Sequence, residues 1–117
     1  MTEVGDKTAT LLASLWLRNR PLVEERLAEL DRTAAQAAAG TLPADLREAA
    51  RHTAHKLAGS LGMYGYAEGT HIARQIELLL GEAAPDAKRL GALAAELRRT
   101  IFPEGQGAAI YQSSERY

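Results

Sequence analysis

His55 has the clearest chemical potential in this sequence because of the residues around it. It lies in the segment Arg-His-Thr-Ala-His-Lys-Leu-Ala-Gly-Ser-Leu-Gly, residues 51–62. If this segment is a helix, each residue is rotated by about 100° from the one before, so the apolar residues fall in one stripe along the helix. His55 then lies roughly opposite this stripe and faces solvent. The stripe comprises Leu46, Ala50, Thr53, Leu57 and Leu61. Gly59 and Gly62 follow His55 by one and two turns, so the pattern predicts an imidazole without side-chain cover along its helix.

The setting of this imidazole is basic. Arg51 and Lys56 lie on the same segment, and we expect Arg74 on the facing helix. A glycine inside a helix costs about 1 kcal/mol relative to alanine, and the chain uses alanine freely elsewhere. Gly59 therefore favours close approach by another protein, and the whole pattern indicates a histidine that carries or meets an anionic group.

The run His-Lys-Leu-Ala-Gly-Ser at residues 55–60, followed by Gly65, resembles the signature of histidine phosphotransfer (HPt) domains. The usual family pattern is His-x-Leu-Lys-Gly-Ser with a further glycine downstream. The motif is short, but the order of the helical segments extends the resemblance over most of the chain. It implies a phosphorelay module in which His55 accepts a phosphoryl group and passes it to or from the aspartate of a response-regulator receiver domain.

The resemblance also implies roles for individual residues. Glu77 matches the position that hydrogen-bonds Nδ1 of the histidine and leaves Nε2 as the attacking atom, while Ser60 packs on the inner side of its helix. One departure concerns the lysine that usually follows the histidine by three residues, since Ala58 stands there. The residues expected to meet the phosphoryl group or the partner are Arg51, His52, Lys56, Ala58, Gly59, Gly62 and Arg74.

The partners implied by the resemblance are receiver domains, a sensor histidine kinase, or both. The receiver would supply the aspartate and Mg²⁺, so we expect no cofactor on this chain. No Walker motif or kinase-type glycine loop occurs in the sequence, which predicts a phosphoryl carrier without an ATP site of its own. Glu68 and His71 form a lone Glu-x-x-His, whereas di-iron bundles need two such motifs, so we expect no metal site.

The elements that position these residues are helices. Alanine is abundant and aromatic residues are 5% of the chain, a balance that favours helix over sheet. Five amphipathic stretches are separated at Asn19–Pro21, Gly40–Pro43, Gly62–Gly65 and Gly81–Pro85. We predict an all-α fold, an up-and-down antiparallel four-helix bundle with an extra N-terminal capping helix. The bundle should span residues 1–103, and residues 104–117 should be a flexible tail or the start of a linker.

Composition excludes several classes of function. The chain has 117 residues, no cysteine and a formal net charge of −1. Such a chain fits one domain and has neither a disulfide framework nor the positive excess that duplex nucleic acid requires. No apolar run is long enough to span a membrane and no signal peptide is visible, so we expect a cytoplasmic monomer.

Two alternatives stay open at this point. The chain could be a helical interaction bundle that binds a partner without chemistry, in which case His55 is incidental. It could also be one domain of a larger kinase or regulator, with the Gly- and Ser-bearing residues after Pro103 beginning a linker. A test for phosphoryl transfer from charged receivers separates the first alternative from a phosphorelay module.

Overall fold

The computed structural model describes residues 2–103, and side chains from residue 7 onward. This part of the chain is helical and contains no strand. The elements are α1 (Thr2–Ala38), α2 (Ala44–Met63), α3 (Ala67–Leu80) and α4 (Ala87–Ile101). None of these helices is both long and apolar enough to cross a membrane. The predicted tail at residues 104–117 lies outside the described residues.

The loops between helices contain the glycine and proline residues that the sequence marked as breaks. Gly40 and Gly65 have φ values of +74° and +89°, a left-handed region that glycine enters without steric cost. Pro43 precedes α2 in an extended conformation. Asp86 caps α4 by accepting hydrogen bonds from the backbone N–H groups of residues 88 and 89. The last three helices therefore begin and end close to the predicted positions.

Packing closes the four helices into a bundle. Helix α2 packs against α1 and α3, and α4 packs against α3 and α1. Short connections between neighbouring helices make consecutive helices antiparallel. The core is aliphatic, and its largest fully buried side chains are Leu27, Leu30, Leu57, Leu61, Ile72, Ile76, Leu80, Leu90 and Leu97. Burial of this apolar surface is the main stabilising contribution to the bundle.

Helix α1 corrects one prediction. The expected break at Asn19–Pro21 is wrong, because α1 continues through Pro21 to Ala38, and no separate capping helix precedes the bundle within residues 2–103. Pro21 lacks a backbone donor and would normally kink the helix. Trp16 nevertheless packs in ring contact with Tyr64, Tyr66 and Phe102. The Asn19 amide donates to the Leu15 carbonyl and to the Tyr64 hydroxyl, both at 2.9 Å.

These contacts hold the turn before Pro21 against the end of the bundle, which offsets the local preference for a break.

The predicted apolar stripe of α2 needs a second correction. Leu46 is 42% exposed because it lies in the first turn of α2, outside the closed core.

Candidate functional site

His55 lies in the middle of α2 with 65% of its side chain exposed. Gly59, one turn further along the helix, is also exposed, and a Cβ atom built there meets no heavy atom within 4 Å. The space beside the ring is therefore open to solvent and not filled by another part of the bundle. An incoming group can reach the ring from this side.

Helix α3 is fastened to α2 on both sides of His55. Towards the end of α2, the Thr70 hydroxyl donates to the Ala58 carbonyl at 2.8 Å. Towards the start of α2, Arg47 Nη1 donates to the Leu80 carbonyl at 2.9 Å. These two hydrogen bonds, together with the buried apolar side chains between the helices, hold the antiparallel pair in a register that places Glu77 opposite His55.

Glu77 Oε2 lies 2.9 Å from His55 Nδ1. An ionised carboxylate only accepts hydrogen bonds. Nδ1 therefore carries the proton and donates a hydrogen bond to Glu77 Oε2. This contact selects the tautomer in which Nε2 keeps its lone pair. Because the ring is exposed, Nε2 is the nitrogen available for nucleophilic attack. The Glu77 side chain is only 21% exposed, which restricts the carboxylate to few orientations.

A second set of charges lies on the preceding turns of α2. Arg51 donates to both carboxylate oxygens of Glu48, with Nε at 3.1 Å from Oε1. The hydrogen bond from Arg51 is the main reason that the pKa of Glu48 is lowered, and the same bond raises the pKa of Arg51. The free edge of this guanidinium faces the site, with Nη1 4.0 Å from Glu77 Oε2. His52 Nε2 lies 3.4 Å from Glu48 Oε2. Glu48 therefore contacts two predicted site residues, Arg51 and His52.

The other predicted site residues divide into exposed and covered positions. Lys56 and Arg74 are exposed on α2 and α3. Gly62 is exposed as well, but a Cβ there would lie 3.2 Å from Thr70 Oγ1, so its small size serves helix packing too. Ser60 is half-buried, and its hydroxyl donates to the Lys56 carbonyl at 3.1 Å.

Ala58 is the predicted contact residue that the structure contradicts. Its side chain is 2% exposed and belongs to the core, so it cannot touch a partner. The reason is that α2 packs against α1 and α3 at once. Its buried face therefore extends beyond the predicted stripe to include Ala54 and Ala58.

Sequence reasoning missed Glu48, which holds Arg51 and His52. The signal was present, because residues three and four positions apart on a helix are neighbours. Glu48 precedes Arg51 and His52 by these spacings.

Within the described part of the chain, no three histidine, aspartate or glutamate side chains are grouped so that they could hold a metal ion.

Comparison with known proteins adds two findings. The family model described as "Hpt domain" matches residues 20–102. Protein RcaC of Microchaete diplosiphon is 36% identical over 70 residues, which are 60% of this chain and 11% of that protein. The chain thus corresponds to a small part of the length of this relative. No solved structure gives a significant match.

Proposed function

Because the chain belongs to the Hpt domain family and is a histidine phosphotransfer module, we propose that His55 is its phosphoryl acceptor and that Glu77 orients the ring. The observation that carries this proposal is the Nδ1–Glu77 contact of 2.9 Å on a ring that is 65% exposed. A carboxylate on Nδ1 and open space around Nε2 are what a histidine nucleophile needs.

In the proposed reaction, the Nε2 lone pair attacks the phosphorus of an aspartyl phosphate. The new P–N bond forms as the P–O bond to the aspartate breaks, and the aspartate leaves as a carboxylate. The positive charge that develops on the imidazole is stabilised by Glu77 through the proton on Nδ1. The reverse reaction returns the group to another aspartate. Phosphoryl transfer depends mainly on positioning and charge stabilisation, which explains how one histidine on a rigid helix suffices.

The partner proposed for this site is a receiver domain that brings its own aspartate and Mg²⁺, and a sensor histidine kinase could supply the group by way of such a domain. Gly59 leaves room for the receiver, and Gly62 and His52 lie on the rim of the same face. Lys56 on α2 and Arg74 on α3 are exposed cations, suited to attract the acidic receiver pocket. A cytoplasmic location and a monomeric state remain part of this proposal.

The test uses receiver domains charged with labelled phosphoryl group in the presence of Mg²⁺. We expect the wild-type chain to acquire an acid-labile, base-stable label within minutes and His55→Gln to acquire none. His71→Gln is the matched control, since His71 is exposed on α3 and its ring is bonded to Gln75. Label on His55→Gln would overturn the assignment. An unlabelled wild-type chain across a panel of receivers would favour the non-catalytic interaction bundle.

A further inference from the structure

Arg74 lies on the side of α3 that faces α2, between two residues that contact α2. The Thr70 hydroxyl donates to the Ala58 carbonyl at 2.8 Å, and Glu77 Oε2 lies 2.9 Å from His55 Nδ1. Arg74 follows Thr70 by four residues and precedes Glu77 by three, and residues at these spacings are neighbours on one helix face. Because α2 and α3 are antiparallel, Arg74 stands level with the turn of α2 that follows His55.

The guanidinium of Arg74 is free to turn towards this part of α2. Arg74 is exposed, and within the described residues it has no ion pair or hydrogen bond. Glu77, on the next turn of α3, is only 21% exposed and is engaged by His55. Arg74 therefore stands on the outer rim of the cleft in which Glu77 holds the ring. Gly59 leaves this rim open, since an added Cβ there would meet no heavy atom within 4 Å.

The two cations of α2 closest to His55 in sequence are less well placed. The guanidinium of Arg51 is engaged by both carboxylate oxygens of Glu48. Lys56 directly follows His55, so its side chain leaves α2 about 100° around the helix from the ring. Arg74 has neither restriction, because its guanidinium is unengaged and it shares the α2-facing side of α3 with the carboxylate that orients the ring.

A phosphoryl group on Nε2 needs a positive charge nearby. Its oxygens carry negative charge, and Glu77 adds a second negative charge on the other side of the ring. A guanidinium offsets this repulsion and can donate two parallel hydrogen bonds to phosphate oxygens. In phosphoryl transfer, such stabilisation of charge supplies a large part of the catalysis.

We propose that Arg74 is a catalytic residue whose guanidinium donates to the phosphoryl oxygens while the group is on its way to Nε2 and after it has arrived. The cation that contacts the phosphoryl group thus comes from α3, not from Arg51 or Lys56 of α2. This inference rests on the proposed function, since His55 carries the group. It gives Arg74 a role beyond attraction of the receiver.

The experiment uses phosphoramidate as the phosphoryl donor, so that no receiver has to dock. Nε2 of His55 attacks the phosphorus, the P–N bond of the donor breaks, and ammonia leaves. The measured quantity is the rate at which label appears, after subtraction of any label that His55→Gln acquires. We expect Arg74→Gln to be labelled about two- to fivefold more slowly than the wild type. Arg74→Lys should lie between the two, because it keeps the charge but loses the planar fork.

Two further variants separate contact from general attraction of an anion. Arg89→Gln makes the same charge change at an exposed residue of α4 and should be labelled at the wild-type rate. Lys56→Gln makes it next to His55 and should slow labelling less than Arg74→Gln does. The melting temperatures should match, which excludes a loss of fold.

Labelling of Arg74→Gln at the wild-type rate overturns this inference and leaves His55 as the acceptor. Equal slowing in Lys56→Gln also overturns it, because the effect is then one of overall charge. A wild-type chain that acquires no more label than His55→Gln overturns the proposed acceptor, and the role of Arg74 with it.

Discussion

Substitution of Gly59 should change stability and phosphoryl transfer in opposite directions. Gly59 lies inside α2, and a Cβ atom there would meet no heavy atom within 4 Å. Nothing in the bundle therefore opposes a side chain, while alanine is about 0.8–1.0 kcal/mol more favourable than glycine in a helix interior. We expect Gly59→Ala to raise the free energy of unfolding by about 1 kcal/mol. For a chain of 117 residues the melting temperature should rise by about 4 °C.

The rate of phosphoryl transfer should fall. A side chain at position 59 projects one turn from His55, into the open space through which a receiver would approach in the proposed reaction. Overpacking a close-packed contact costs about 1–3 kcal/mol, which corresponds to roughly a fivefold to hundredfold slower transfer for Gly59→Leu. Gly59→Ala should have a smaller effect. Thermal unfolding and the transfer assay on the same preparations measure the two quantities together.

Two other glycines serve as controls for this reasoning. At Gly91 on α4, an added Cβ would make an ordinary contact of 4.0 Å with Ala34, so Gly91→Ala should stabilise the bundle without changing transfer. At Gly69 on α3, an added Cβ would lie 3.2 Å from Leu61 Cδ1. Gly69→Ala should therefore stabilise the bundle less than Gly91→Ala, or destabilise it. A lower melting temperature for Gly59→Ala, or transfer at the wild-type rate by Gly59→Leu, would refute the reasoning.

Three further predictions concern the fold and its charges. Pro21→Ala should raise the free energy of unfolding by about 1–3 kcal/mol in denaturant titrations, since it restores a backbone donor inside α1; a destabilised variant would mean that the bundle needs the contacts of the Pro21 ring. Trp16→Ala should lower the free energy of unfolding by about 1–3 kcal/mol because three aromatic contacts of a half-buried ring are lost. An unchanged denaturant midpoint would show that α1 before Pro21 does not pack on the bundle. Glu48→Gln should reduce stability at neutral pH. Arg51 lowers the pKa of Glu48 below its ordinary 4.5, so the stabilising effect is complete above the unfolded-state pKa and disappears as pH falls through the folded-state pKa. The wild type and Glu48→Gln should then unfold alike in strong acid, and a difference that persists there would contradict this assignment.

Much of the site could be predicted from the sequence because it depends on one helix. Helical periodicity is a local property, so the exposure of His55 and the open side at Gly59 follow from the order of residues in α2. The ends of α2, α3 and α4 were equally predictable, since glycine, proline and aspartate act on the backbone at their own positions. The resemblance to the Hpt family rested on the same local run of residues.

Other features depended on which surfaces meet in space. Pro21 marks a break by local rules, yet Trp16 and Asn19 hold α1 continuous through contacts with distant residues. Ala58 was predicted as a contact residue because it stands near His55 at the position of the family's usual lysine, but the packing of α2 within the bundle buries it. The distance from Glu77 to His55 is set by the register in which α2 and α3 pack against each other. Spacing along a chain determines what shares a helix face, whereas burial and contact between helices arise only when those faces pack.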